Sequence, residues 1–357
     1  MDENMRAWVF YEPGRMTLET VPLPDVGVDD LLVKVEAVGI CGSDVAYYFG
    51  HSPLGTPDGK GPLVLGHEIG GVAAKVGDNA KRLFAVGDRV TLNPVQQCNA
   101  CPECLDGRFN LCPFVETLGV SVDGGFAEYV KVRYTHALKI SPSVSFGDAA
   151  LTEPLACATY AMRKLDIRLG DYVAVIGSGS IGLMMLQIAK ARGAGRLAFI
   201  GARDVPLELG MELGADAVLN VRDETSRHYA GDPVEWIKRT GNGKLADRVV
   251  VPTSDLPALH WALYGSAPGA TIVYFGLPGP DDRIQIPALD AIQADKTIKF
   301  SWLSPLVWPE ATAAVAAGKV DLSRLVSHRY GFADVEKGIR DMAAGDPKKI
   351  KGLVAMG

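Results

Sequence analysis

At 357 residues the chain is long for a single core and suits two domains of roughly 100–200 residues each, with room for a cleft between them. Its 48% apolar and 22% charged composition is that of a globular protein, and a formal net charge of -6 leaves no basic surface for a polyanion, which argues against nucleic acid as a partner. The opening MDENMRAWVF is acidic and has no signal-like apolar stretch, and no later window approaches the roughly 20 apolar residues of a membrane span. No membrane partner and a cytoplasmic location are therefore expected.

The first part predicts short strands: Trp8 to Tyr11, a turn at Glu12-Pro13-Gly14, Thr17 to Val21, and the alternation Val33, Val35, Ala37. Further strands are predicted at Gly70 to Val76, Arg89 to Leu92 and Phe126 to Val132, separated by Gly, Asp and Asn turns. This reads as a β-rich, antiparallel domain. After about residue 150 the period changes. The strand Tyr172 to Ile176 runs through a glycine turn into a helix from Ile181 to Arg192. Strands at Arg196 to Ile200, Ala217 to Leu219, Asp247 to Val251 and Ala270 to Phe275 then alternate with helices such as Pro206 to Leu213 and Leu256 to Tyr264. Such alternation builds a parallel sheet with crossover helices. The tail from about Pro287 predicts helices around Ala311 to Ala317 and Val335 to Ala344, and a strand at Leu353 to Met356.

Four of the six cysteines, Cys98, Cys101, Cys104 and Cys112, form a CxxCxxC run with a fourth a short loop later. Four thiolates close tetrahedrally on zinc and leave no open position, which predicts a structural ion. Free thiols, disulfides or an iron–sulfur cluster are the alternatives, and a reducing compartment disfavours the disulfides. Cys41 in GICGSD and His67-Glu68 in a second loop supply one sulfur, one nitrogen and one carboxylate. That mixed set leaves a position for water or substrate, as a catalytic zinc requires. Singly, Cys41 reads as a small buried hydrophobe and His67 as a satisfied loop histidine; together they read as ligands. Glu153, in Thr152-Glu153-Pro154, is a third ligand-like carboxylate or else the start of a helix with Pro154 in its first turn. Asp44 is a candidate partner for the His67 ring, or a solvated surface acid.

Gly177, Gly179 and Gly182 form GxGxxG between a predicted strand and a predicted helix, where the pattern fits pyrophosphate at a helix N-terminus. Ser180 and Ile181 lie within that pattern, between Gly179 and Gly182, and Gly276 follows a later strand; all are candidate cofactor-binding positions. At the end of the second strand Gly201 stands where an NAD-specific site would carry an acid for the ribose hydroxyls. Arg203 follows two residues later as a candidate partner for the 2′-phosphate of NADP, or as a solvated neighbour of Asp204.

These residues carry a resemblance. GICGSDVAYY, GPLVLGHEIGG, VGDRV, the four-cysteine run, GGFAEYV, TEPLA, VIGSGSIG and ELGAD together resemble the zinc-containing medium-chain dehydrogenases along essentially the whole chain. TEPLA resembles the sorbitol (polyol) branch, because simple alcohol dehydrogenases usually have a cysteine where Glu153 stands. The resemblance implies an α/β protein: a GroES-like β-rich catalytic domain over residues 1–152, completed by 287–357, and a Rossmann doubly wound parallel sheet over 153–286. It implies a catalytic zinc on Cys41, His67 and Glu68, with Glu153 exchanging for Glu68, and Ser43 and Tyr47 near the substrate hydroxyl. Two departures stand out. Ala46 occupies a position where many relatives have a histidine, and Leu303 one where animal sorbitol dehydrogenases have an arginine.

The expected activity is hydride transfer between a secondary alcohol of a polyol or cyclitol, or the matching ketose, and a nicotinamide cofactor, NADP favoured over NAD. Glu153 with Ser43 is the expected proton path. Pocket shape is expected to depend on the loops Tyr47 to Lys60 and Leu303 to Trp308, and a homo-oligomer, tetramer or dimer, is expected. The rival readings are a threonine or simple secondary-alcohol dehydrogenase, a zinc-free NADPH-binding or quinone reductase-like protein, and a zinc-binding scaffold without catalysis.

Overall fold

The computed structural model describes residues 3–52 and 61–357, so residues 53–60 of the loop expected to shape the pocket lie outside the described residues. Two compact units form, Met1–Ala156 with Pro305–Gly357, and Cys157–Ser304.

In the first unit a three-stranded sheet runs in the order Arg15–Pro22, Asn4–Glu12, Leu63–Val64. A seven-stranded sheet runs Ala137–Lys139, Arg89–Leu92, Glu68–Val76, Asp30–Ile40, Lys351–Ala355, Val326–Gly331, with Tyr129–Arg133 also paired to Asp30–Ile40. Alternate residues of these strands, such as Leu31, Val33, Val35, Ile69 and Val130, meet in one apolar core. The long strand Asp30–Ile40 is the axis of the site. Its end pairs on one side with Glu68–Val76, Gly39 opposite Glu68, and on the other with the C-terminal strand, Ile40 opposite Gly352. The tail thus returns to the first unit and contributes a strand beside residues 39–41.

The second unit carries six parallel strands in the order Ala217–Asn220, Arg196–Gly201, Tyr172–Ile176, Ala246–Val251, Ser266–Tyr274, Thr297–Phe300. This is a doubly wound sheet whose order reverses between Tyr172–Ile176 and Ala246–Val251, the position where such folds bind ligands beyond the strands' carboxyl ends. The sixth strand, Thr297–Phe300, carries the second unit on to Ser304, past the residue 287 expected from the sequence. Its short, half-exposed TIKF gives no apolar run to mark it. Among the described residues no helix is long and apolar enough to cross a membrane.

Candidate active site and metal centres

Cys41 caps the helix Gly42–Tyr48, its backbone N–H donating to Asp44 Oδ2 at 2.8 Å. The other oxygen, Asp44 Oδ1, accepts from the Gly66 N–H at 3.1 Å and lies 3.6 Å from His67 Nδ1. Asp44 is 1% exposed, so it is no solvated surface acid; it ties the Cys41 turn to the His67 loop. Ligand atoms of Cys41, His67 and Glu68 all lie within 4.8 Å of one another. Burial works to lower the His67 pKa, yet the charges of Cys41 and Asp44 outweigh it and hold the ring well above its ordinary value. Glu68 Oε2 is buried beside them and has no hydrogen-bond partner among the described residues. A sulfur, a nitrogen and an unsatisfied carboxylate oxygen at this spacing fit zinc.

Two residues of this site escape a reading by pattern. Lys351, at the start of the C-terminal strand, places Nζ 2.5 Å from Glu68 Oε1, with side-chain exposures of 5% and 0%. Burial works against its charge, but Glu68 and then Cys41 raise its pKa above the ordinary lysine value. Gly39 is the floor: a β-carbon there would stand 1.8 Å from Glu68 Oε2. A lysine opening an apolar strand, KGLVA, was the available signal for the first.

Glu153 is buried, 6% exposed, within the helix Phe146–Leu165, and is not among the three clustered ligands. The helix begins seven residues before Glu153 and Pro154 lies inside it, so the alternative of a helix-start carboxylate favoured by the dipole is corrected. Ser43 and Tyr47 stand four residues apart on the helix Gly42–Tyr48 and so share a face; Tyr47 is buried. Burial raises its phenol pKa.

The four-cysteine group also assembles. Cys98 and Cys104 Sγ are 3.9 Å apart and Cys101 and Cys112 Sγ 3.8 Å, with all four ligand atoms within 4.8 Å. The edge of a tetrahedron with ~2.3 Å zinc–sulfur bonds is about 3.8 Å, so the spacing fits zinc and is far beyond a disulfide's ~2.05 Å. Backbone N–H groups of Ala100 and Cys101 bring the Cys98 thiol down to about 6, while burial pushes Cys101 up to about 12. Next to this lobe, Arg133 donates from its backbone N–H to Gln96 Oε1 and from its side chain to the Gln97 carbonyl.

In the second unit the glycine turn lies between Tyr172–Ile176 and the helix Ser180–Ala191, with Gly179 as its N-cap and Ser180 and Ile181 in its first turn. A β-carbon at Gly182 would meet the Gly177 carbonyl oxygen at 1.8 Å, so the helix can approach the turn only without a side chain there. Gly276 follows the strand Ser266–Tyr274 and rests on the Thr253 backbone. Arg203 caps the helix Asp204–Leu213, and Asp204 Oδ1 accepts from Asn220 Nδ2 at 2.7 Å and Ser226 Oγ at 2.6 Å.

A dinucleotide-type sheet and two clusters suited to zinc define a metal-dependent oxidoreductase class. Models of the alcohol dehydrogenase GroES-like domain and of the zinc-binding dehydrogenase match residues 27–142 and 180–317. Sorbitol dehydrogenase of Bacillus subtilis (strain 168) is 33% identical over 336 residues, 94% of this chain and 92% of its own. Two solved structures are similar throughout. One from Sinorhizobium meliloti 1021, described as a zinc-binding dehydrogenase bound to NADP, has a TM-score of 0.91 and 31% identity, covering 99% of this chain and 100% of the other. The other, a short chain alcohol dehydrogenase from E. coli CFT073 complexed with NADH, has a TM-score of 0.90 and 27% identity with the same coverage, 99% and 100%. The chain belongs to the zinc-containing medium-chain dehydrogenases, in their sorbitol dehydrogenase-like branch, and is a zinc-dependent oxidoreductase of alcohols that uses a nicotinamide dinucleotide.

Proposed function

We propose that the chain interconverts a secondary carbinol of a polyol, sugar alcohol or cyclitol and the matching ketose, preferring NADP to NAD. The observation that carries this reading is the buried Cys41, His67 and Glu68 cluster, whose mixed donors suit an ion that keeps a place for substrate. The four-cysteine lobe would hold the second, structural ion. Bound at the first cluster, zinc would act as a Lewis acid on the carbinol oxygen. Asp44 fixes the Cys41 turn and, through the Gly66 N–H, the start of the His67 loop. Ser43 and Glu153 carry the hydroxyl proton outward, Glu153 serving as relay or as a ligand exchanging with Glu68. A bound nicotinamide would supply the acceptor for the carbinol hydride, with the ketone as the other product.

Gly177, Gly179, Ser180, Ile181, Gly182 and Gly276 are proposed to hold the dinucleotide, with the pyrophosphate at the helix N-terminus. Gly201 and Arg203 are proposed to admit and pair the 2′-phosphate. The catalytic role is proposed for the unit Met1–Ala156 with Pro305–Gly357, and the cofactor-binding role for Cys157–Ser304. A cytoplasmic location suits the six free cysteines, and assembly as a homo-oligomer is part of the same proposal. Initial rates over a panel of polyols, cyclitols, threonine and simple secondary alcohols, each with NAD and NADP, test the substrate class. Highest efficiency on threonine or a simple alcohol would displace the polyol reading.

A further inference from the structure

The pair Lys351–Glu68 is unusual in being sealed from water at both ends. Taking two ions out of water costs several kcal/mol each, and well-packed apolar residues often serve stability as well or better. Stability alone therefore gives no reason for placing a lysine at residue 351. The register does place it with care. Gly39 lies opposite Glu68 and Ile40 opposite Gly352, so Lys351, the end of Asp30–Ile40 and Glu68 stand abreast on three adjacent strands. Lys351 engages Oε1, and Gly39 leaves space for Oε2, which keeps no partner of its own among the described residues.

We propose that Lys351 is a positioning residue of the metal centre: by holding Oε1 it limits Glu68 to a single, weakened donor oxygen and so preserves a coordination position for substrate. The inference rests on the reading of Cys41, His67 and Glu68 as zinc ligands. Without the lysine both carboxylate oxygens are released and the local field becomes more negative, so the ion should bind more tightly while leaving less room for the alcohol.

The test compares holoenzyme of the wild type, Lys351→Met and Lys351→Arg by chelator competition for zinc, by the absorption bands of the cobalt(II)-substituted enzyme, and by kcat. For Lys351→Met the catalytic-site zinc affinity should rise about tenfold, the cobalt bands should shift, and kcat should fall about tenfold. Lys351→Arg, which keeps the charge, should return affinity and kcat to within about threefold of wild type. Should Lys351→Met fail to fold, Lys351→Gln carries the same measurements. A folded neutral variant with lower melting temperature but unchanged zinc affinity and cobalt spectrum would overturn the proposal and leave the metal site intact. A wild type holding zinc only at the four-cysteine lobe would overturn the site reading itself.

Discussion

The Ser178 hydroxyl fills the space a side chain at Gly201 would need: a β-carbon there would lie 1.9 Å from Ser178 Oγ. The missing acid at residue 201 is thus a packing fact as well as an electrostatic one, since Ser178 is itself buried. An acid at 201 would bind both ribose hydroxyls of NAD and repel the extra phosphate of NADP. We predict that Arg203→Ala raises the KM for NADP about tenfold or more while leaving that for NAD nearly unchanged. Gly201→Asp should gain NAD use only when combined with Ser178→Gly. Steady-state kinetics with both cofactors checks this, and a wild type markedly more efficient with NAD would remove the basis of the NADP preference.

The two metal groups predict different failures. Cys101→Ser should lower the melting temperature by roughly 5 °C or more and release one zinc, because a closed site contributes folding free energy. Cys41→Ser should keep the fold and the lobe zinc but lose on the order of a thousandfold in turnover. Calorimetry with metal analysis reads both.

Glu153 sits inside a helix rather than at its start, so its burial needs another explanation. Glu153→Gln keeps the shape and removes the charge. A relay or ligand role predicts a fall in kcat of about a hundredfold with little change in melting temperature. Unchanged turnover would make Glu153 a structural residue.

His136 supplies a pH dependence. Its ring sits between Thr135 Oγ1 at 3.0 Å and Gln97 Oε1 at 2.9 Å, and burial, helped by the Arg133 charge, brings its pKa down to about 4. The unfolded ring binds a proton near pH 6.5 and the folded ring does not, so stability is full above about 6.5 and falls as pH drops toward 4. The loss is on the order of 3 kcal/mol. His136→Gln should flatten urea-derived stability over that window; an unchanged slope would contradict the assignment.

Much of the fold was legible because its signals are local. The helix Leu256–Tyr264 stands over the residues expected for it, and GxGxxG turns between strand and helix as its chemistry requires. The metal groups were legible from donor type and spacing. What escaped depends on long-range register. Lys351 meets Glu68 across 283 residues of chain, so the lysine that opens KGLVA can be seen in the sequence but its partner cannot. Leu303 and Leu306 adopt positive φ, 56° and 61°, a conformation that leucine does not signal and only its surroundings can impose. The role of Gly39 likewise becomes visible only when the carboxylate lies over it.

Zinc stoichiometry measured together with turnover tests the account most directly. The purified wild type should carry two zinc ions per chain, and with NADP should oxidise at least one polyol or cyclitol faster than any simple alcohol; Cys41→Ser should carry one zinc and turn each of them over on the order of a thousandfold more slowly. Two zinc ions retained in folded Cys41→Ser, or wild-type turnover surviving the loss of its zinc from Cys41, His67 and Glu68, would contradict it.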